Sequence, residues 1–190
     1  MKTTKVLFYC TKGKPSLLNL LNGTDYRLDC KELWKEYNPN DVSEVLNGKI
    51  VAECEVETEE IRLSAYSDYE DTIYLFDTPT LRNYELTQKS YLSDDELGDY
   101  LINEKGYALH IKNLKELRTP LTFEKNCIYK APQGFKQVLK APQNMMRVYD
   151  RFGNMYILIS IRPEWLCKIL NGEKTIEVRK KVLKEMLPDE

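Results

Sequence analysis

ILISIRPEWLCKILNGEKTIEVR, residues 157–179, is the stretch whose reading decides the fold. Residues 157–161 are a short apolar, β-branched run, the pattern of a buried strand. Pro163 suits the first turn of a helix, where its missing N–H would have had no partner. Trp165, Leu166, Ile169 and Leu170 then recur at helical spacing. Gly172 is placed to end that helix in a left-handed conformation. Residues 173–179 resume extended, with Thr175, Ile176 and Val178 favouring a strand. The prediction is strand, short helix, glycine corner, strand, with Lys174, Glu177 and Arg179 delivered just past the corner.

Strand alternation points Lys174 and Ile176 to one side, and Thr175, Glu177 and Arg179 to the other. The glycine corner can still bring the lysine to the rim of the same cleft. A lysine, a carboxylate and an arginine gathered there would grip a phosphate or a polar base edge. The plainer reading of the same residues is a salt-bridge set on an edge strand.

The segment SIRPEWLCKILNGEKTIEVR resembles the opening signature of the ASCH domain family, a branch of the PUA-like β-barrels. The family's G-x-K-x-x-E-x-R pattern falls here on Gly172, Lys174, Glu177 and Arg179. VLFYCTKGKP (residues 6–15) resembles the strand and loop that follow the signature. GKIVAECEVE (48–57) resembles the central barrel strand. GYALHIKNLKEL (106–117) and KAPQNMMRVYD (140–150) resemble the closing segments. The order departs from the family's, in which the signature comes first and the APQ segment last. Joined tail to head, Glu190 to Met1, the chain reads in the usual order. The resemblance therefore implies an α+β fold: a small PUA-like mixed or antiparallel β-barrel with short flanking helices, circularly permuted. Residues 1–150 supply the central and closing strands, 151–154 the joint and 155–190 the signature, all within one domain spanning 1–190. Small domains with close, exposed termini tolerate such rotation. The rival arrangement is a dimer in which the C-terminal segment completes a neighbour's barrel.

Composition bounds the function. The 190 residues suit one domain with a sizeable core. A net charge of −2 and a pI near 5.7 argue against a strongly basic, non-specific nucleic-acid binder. A local cationic cleft remains compatible with that balance. No stretch reaches the length of a membrane span, and the N-terminus lacks a secretory apolar run, so no membrane partner and a cytoplasmic location are expected. Five scattered cysteines with no C-x-x-C pair read as reduced core thiols. With one histidine in the chain, neither a metal nor another cofactor is expected.

Along the remaining chain, residues 5–10 read as a strand, and 11–15 as a loop carrying Lys12 and Lys14. Such a loop can offer N–H groups and ammonium charge to an anion. Ile50, Ala52, Cys54 and Val56 alternate with glutamates, which predicts an inward apolar face and a solvated acidic one. Residues 61–91 read mostly as an inserted loop or hairpin, with a short strand at 72–76. Ser93 and Glu96 form a capping-box pattern, with Leu97, Tyr100 and Leu101 as the buried stripe of the helix they open. Residues 107–111 predict a strand, with His110 structural and without an acidic partner, and 113–117 a loop. Residues 121–123 and 145–149 predict strands, and 180–186 have helical spacing. K-A-P-Q occurs at 130–133 and at 140–143 without making a structural repeat.

Three functions compete. The first is a module that binds RNA, a nucleotide or a modified nucleoside. Lys12, Lys14, Lys174 and Arg179 would serve phosphate, Glu177 would line the cleft, and Tyr9 or Tyr129 would stack on a base. The second is an enzyme. Some ASCH-like proteins resemble acetylcytidine amidohydrolases, whose lysine matches Lys174. Those enzymes carry threonine where Glu177 stands and need a further glutamate. If the chain is an enzyme, Lys174 and Glu177 are the catalytic candidates, for amidohydrolase or ribonuclease chemistry. The third is a protein-interaction module using the acidic, tyrosine-rich residues 68–91.

Overall fold

Val6, Leu7, Phe8, Tyr9 and Cys10 are buried in succession. A strand with both faces covered reads as such an unbroken apolar run. It is β1 (Thr3–Cys10) in the computed structural model, which describes residues 2–10, 49–67, 73–101, 105–122, 128–129, 145–150 and 152–188. The other described strands are β2 (Lys49–Ser67), β3 (Ile73–Asp77), β4 (Gly106–Thr122), β5 (Ile128–Tyr129), β6 (Met145–Asp150), β7 (Met155–Ile161) and β8 (Ile176–Arg179). The helices are α1 (Asn83–Ser90), α2 (Asp94–Leu101) and α3 (Pro163–Leu170), with a 3₁₀ turn at Lys184–Met186. The sheet order is β5-β6-β7-β1-β2-β4-β8, with β3 paired to β2. None of these helices is long and apolar enough to cross a membrane.

The chain divides into two compact units, one drawn from Met1–Thr4, Glu55–Lys112 and Glu173–Glu190, the other from Lys5–Cys54 and Asn113–Gly172. In the first, Ile61, Phe76, Leu81, Leu86, Leu97, Leu101, Ala108, Ile176 and Val178 form one buried cluster. Antiparallel pairing of β4 with β8 sets Ala108 opposite Val178 and His110 opposite Ile176. In the second unit, β1 and β7 pair in parallel, Val6 opposite Ile157 through Cys10 opposite Ile161. Leu7, Tyr9, Ile50, Val148 and Leu158 form its core cluster. The first residues of the chain and the signature strand thus share a ladder.

The signature folds as its residues dictate. Pro163 begins α3, and Gly172 follows it with φ +77°. A Cβ there would meet nothing within 4 Å, so only the backbone conformation demands glycine. At α2, Ser93 Oγ accepts from the Glu96 N–H at 3.2 Å, and Glu96 Oε2 accepts from the Ser93 N–H at 2.8 Å. The predicted capping box is formed.

Several expectations are corrected. A closed barrel is not formed: β5 and β8 stand at the two ends of the strand order, with no ladder between them among the described residues. Closure needs the two end strands to hydrogen-bond to each other, and among the described residues each is paired on one side, β5 with β6 and β8 with β4. The hairpin and short strand read in 61–91 are present, 61–67 of β2 pairing antiparallel with β3, but the helix α1 follows them where none was expected. Residues 113–117 lie within β4, which passes through Asn113 at φ 49°. Tyr100 is exposed, because the buried stripe of α2 runs through Leu97, Gly98 and Leu101. Only three residues of 180–186 form a helical turn. Cys10 and Cys54 are buried thiols outside any disulfide, but Cys167 is disulfide-bonded, against the reduced state expected for it. The loop at 11–15, with Lys12 and Lys14, and both K-A-P-Q phrases lie outside the described residues.

Candidate functional site

The corner after Gly172 closes on the end of α1. Tyr91 caps that helix in the left-handed conformation, φ 59°, a place glycine usually takes. The last carbonyls of a helix have no partner within it. Two of them are met by the segment entering β8: Lys89 O accepts from the Thr175 N–H at 2.9 Å, and Ser90 O accepts from Lys174 Nζ at 2.5 Å. An ammonium at this end also complements the helix dipole.

Lys174 precedes the β8 ladder, so strand alternation does not govern it. Its Nζ lies 3.4 Å from Glu177 Oε2, and Arg179 Nη2 lies 2.9 Å from Glu177 Oε1. One carboxylate is thereby gripped by a cation on each oxygen. Glu177 and Arg179 stand opposite Leu109 and Tyr107 in the ladder, on the face of β8 turned away from Ile176 and Val178. The Lys174 side chain is 2% exposed, so the expectation of a lysine at an open rim is corrected. Burial pushes its ammonium below the usual lysine range, and the charge and hydrogen bond of Glu177 oppose that shift. The plainer reading holds in kind, since the three residues form a salt-bridge set on the end strand β8, but the set is buried rather than solvated.

A second polar cluster in this unit was missed by the sequence reading. Glu59 is buried, His110 Nε2 lies 3.3 Å from its Oε2, and Thr80 Oγ1 donates to that oxygen at 2.9 Å. His110 therefore has the acidic partner that the sequence did not suggest. Burial pushes the Glu59 carboxyl up, but hydrogen bonds from Thr78 and Thr80 and the nearby His110 outweigh it, leaving the group below its usual range. Two other β2 glutamates pair across to β4, Glu57 with Lys112 at 2.6 Å and Glu53 with Lys115 at 3.2 Å.

Lys174, Glu177 and Arg179 are thus brought together, with Ser90 added. Tyr9 is a core residue of the second unit, where burial raises its hydroxyl above the usual tyrosine range. Its ring is committed to packing. Tyr129 lies in β5, opposite Tyr149. Among the described residues no three His, Cys, Asp or Glu side chains gather as a metal-ligand set. No protein-family model, curated protein or solved structure matches this chain.

Proposed function

We propose that this chain is a circularly permuted ASCH-like, PUA-like domain that binds RNA, a nucleotide or a modified nucleoside at the cluster of Lys174, Glu177 and Arg179. The observation that carries the reading is the double grip on Glu177, at 3.4 and 2.9 Å, beside a helix end. With Lys174 protonated, two cations face one carboxylate, and the excess positive charge suits a phosphate. A guanidinium's five N–H donors can serve a carboxylate and a phosphate together. The carboxylate in turn can accept from an amino group on a base edge. The parallel ladder of β1 with β7 supports the rotated order, because it joins the start of the chain to the signature strand.

A second reading is favoured by the depressed Lys174 ammonium. A lysine whose burial favours the neutral form is a candidate general base, and Glu177 would hold or return its proton. The resemblance to acetylcytidine amidohydrolases extends to this lysine and not to Glu177, where those enzymes carry threonine.

Incubation with N4-acetylcytidine, and separately with a structured RNA, tells the two apart. Binding that weakens with added salt, without release of acetate, is the expected result. Turnover abolished in Lys174→Met would replace the binding module with the enzyme. Neither binding nor turnover would remove both.

A further inference from the structure

The cluster proposed above as an anion site is closed. The Lys174 side chain is 2% exposed, Glu177 10% and Arg179 13%. Thr175, the next residue along the chain, is exposed, so solvent stops one residue short of the ammonium. The last turn of α1 lies against Lys174. Its two final carbonyls take two donors from the corner: Ser90 O accepts from Lys174 Nζ at 2.5 Å, and Lys89 O from the Thr175 N–H at 2.9 Å. The carbonyl end of a helix carries about half a negative charge. Two oxygens of partial negative charge, one on an ammonium and one on a backbone N–H, are what a phosphate would present to the same donors.

The two ends of α1 are held differently. At its start, Asn83 Oδ1 accepts from the Phe76 N–H at 2.7 Å and Asn83 Nδ2 donates to Asp94 Oδ1 at 2.5 Å, which ties the helix to β3 and α2. Glu85 Oε2 accepts from the Arg82 N–H at 3.2 Å, and Leu86 is fully buried in the core cluster. Past Leu86, the one buried residue of the helix is Ser90. The cap that follows, Tyr91, adopts φ 59° and ψ 36°. That conformation is costly for a residue with a Cβ and open to glycine. A helix end with little buried apolar surface and a strained cap opens at low free energy.

We infer that the last turn of α1, residues 87–90, is an autoinhibitory stand-in for the anion. Its carbonyls hold Lys174 and Thr175 until a phosphate-bearing ligand takes their place, and the turn unwinds as the ligand binds. The inference rests on the phosphate-binding reading above and adds the step that opens that site. The apparent affinity is then the intrinsic affinity reduced by the fraction of molecules in which the turn is open.

Two exposed, uncharged positions move that fraction in opposite directions. Gln88→Gly weakens the turn, because glycine is the poorer helix former. Tyr91→Gly tightens it, because glycine suits a left-handed cap. The test measures affinity for cytidine monophosphate by calorimetry and amide exchange by mass spectrometry, with Arg179→Ala as the control on the charged cluster and circular dichroism as the check of fold. Gln88→Gly is expected to bind about threefold tighter, and Tyr91→Gly about fivefold weaker. Saturating nucleotide should speed exchange at residues 86–90 and leave 94–101 unchanged. Equal affinity in wild type and both glycine variants, with Arg179→Ala weakened, overturns the stand-in and leaves phosphate binding at the cluster in place. Nucleotide that slows exchange at 86–90 also overturns it, because the closed turn is then part of the bound state. So does a Tyr91→Gly protein that binds weakly without slower exchange when free, because the ring is then a ligand contact. No binding to wild type or to Gln88→Gly removes the phosphate-binding reading and this inference with it.

Discussion

Glu177 is the residue on which the cluster turns, since it is buried and holds one cation on each oxygen. Removing one partner of a buried pair leaves the other uncompensated, at about 3 kcal/mol or more. Glu177→Gln is therefore expected to lower unfolding free energy by about 3 kcal/mol in denaturant titration. Adding Lys174→Met to that variant should return part of the loss, because the stranded ammonium goes with it. A Glu177→Gln protein as stable as wild type would show that the grip contributes nothing. The grouping of Lys174, Glu177 and Arg179 was legible because all three sit within six positions of one another. Ser90 was not, because it meets Lys174 across a separation of 84 residues and offers only a backbone carbonyl. The pairing of Glu59 with His110 was hidden for the same reason: the residues come from β2 and β4, and nothing local marks either.

Elements were legible where periodicity and capping agree. The run through β1, the proline and glycine that bracket α3, and the Ser93–Glu96 box each carry a local cause. The long strands were not. β2 continues past Glu57 through the charged Glu59 and Glu60 and then the exposed residues 62–65, and its register with β3 shifts between Leu63 and Ala65, which breaks the alternation. β4 passes through Asn113 and Pro120, both of which read as turn residues. Here the ladder with a neighbouring strand overrides local preference. Glu59 ties β2 to the turn before α1, since Thr80 donates to it and Thr78 Oγ1 accepts from the Leu81 N–H at 2.9 Å. Its carboxyl is lowered in the folded state. The stability it contributes is therefore complete above the ordinary glutamate range, near about pH 4.3, and is lost as pH falls through the lower folded value. Glu59→Gln should be less stable than wild type at pH 7 and lose less on acidification through that window. Parallel acid limbs in the two proteins would contradict the assignment.

At the scale of the whole molecule, the parallel β1–β7 ladder sets the first strand of the chain beside residues 157–161. The closed barrel expected from the sequence is replaced by an open strand order, because which strands meet at the ends of a sheet is a long-range pairing that no local pattern encodes. The molecule carries a net charge of −2, so any anionic ligand must be drawn by a local field rather than by the whole chain. In the proposed binding site that field comes from Arg179 and Lys174. The most direct test is the salt dependence of RNA affinity for wild type and Arg179→Ala, with Arg179→Lys as the folded, charge-retaining control. The account predicts that Arg179→Ala binds more weakly and with a salt slope shallower by about one, as for the loss of one phosphate contact. Equal affinity and equal slope in a folded Arg179→Ala protein would contradict it.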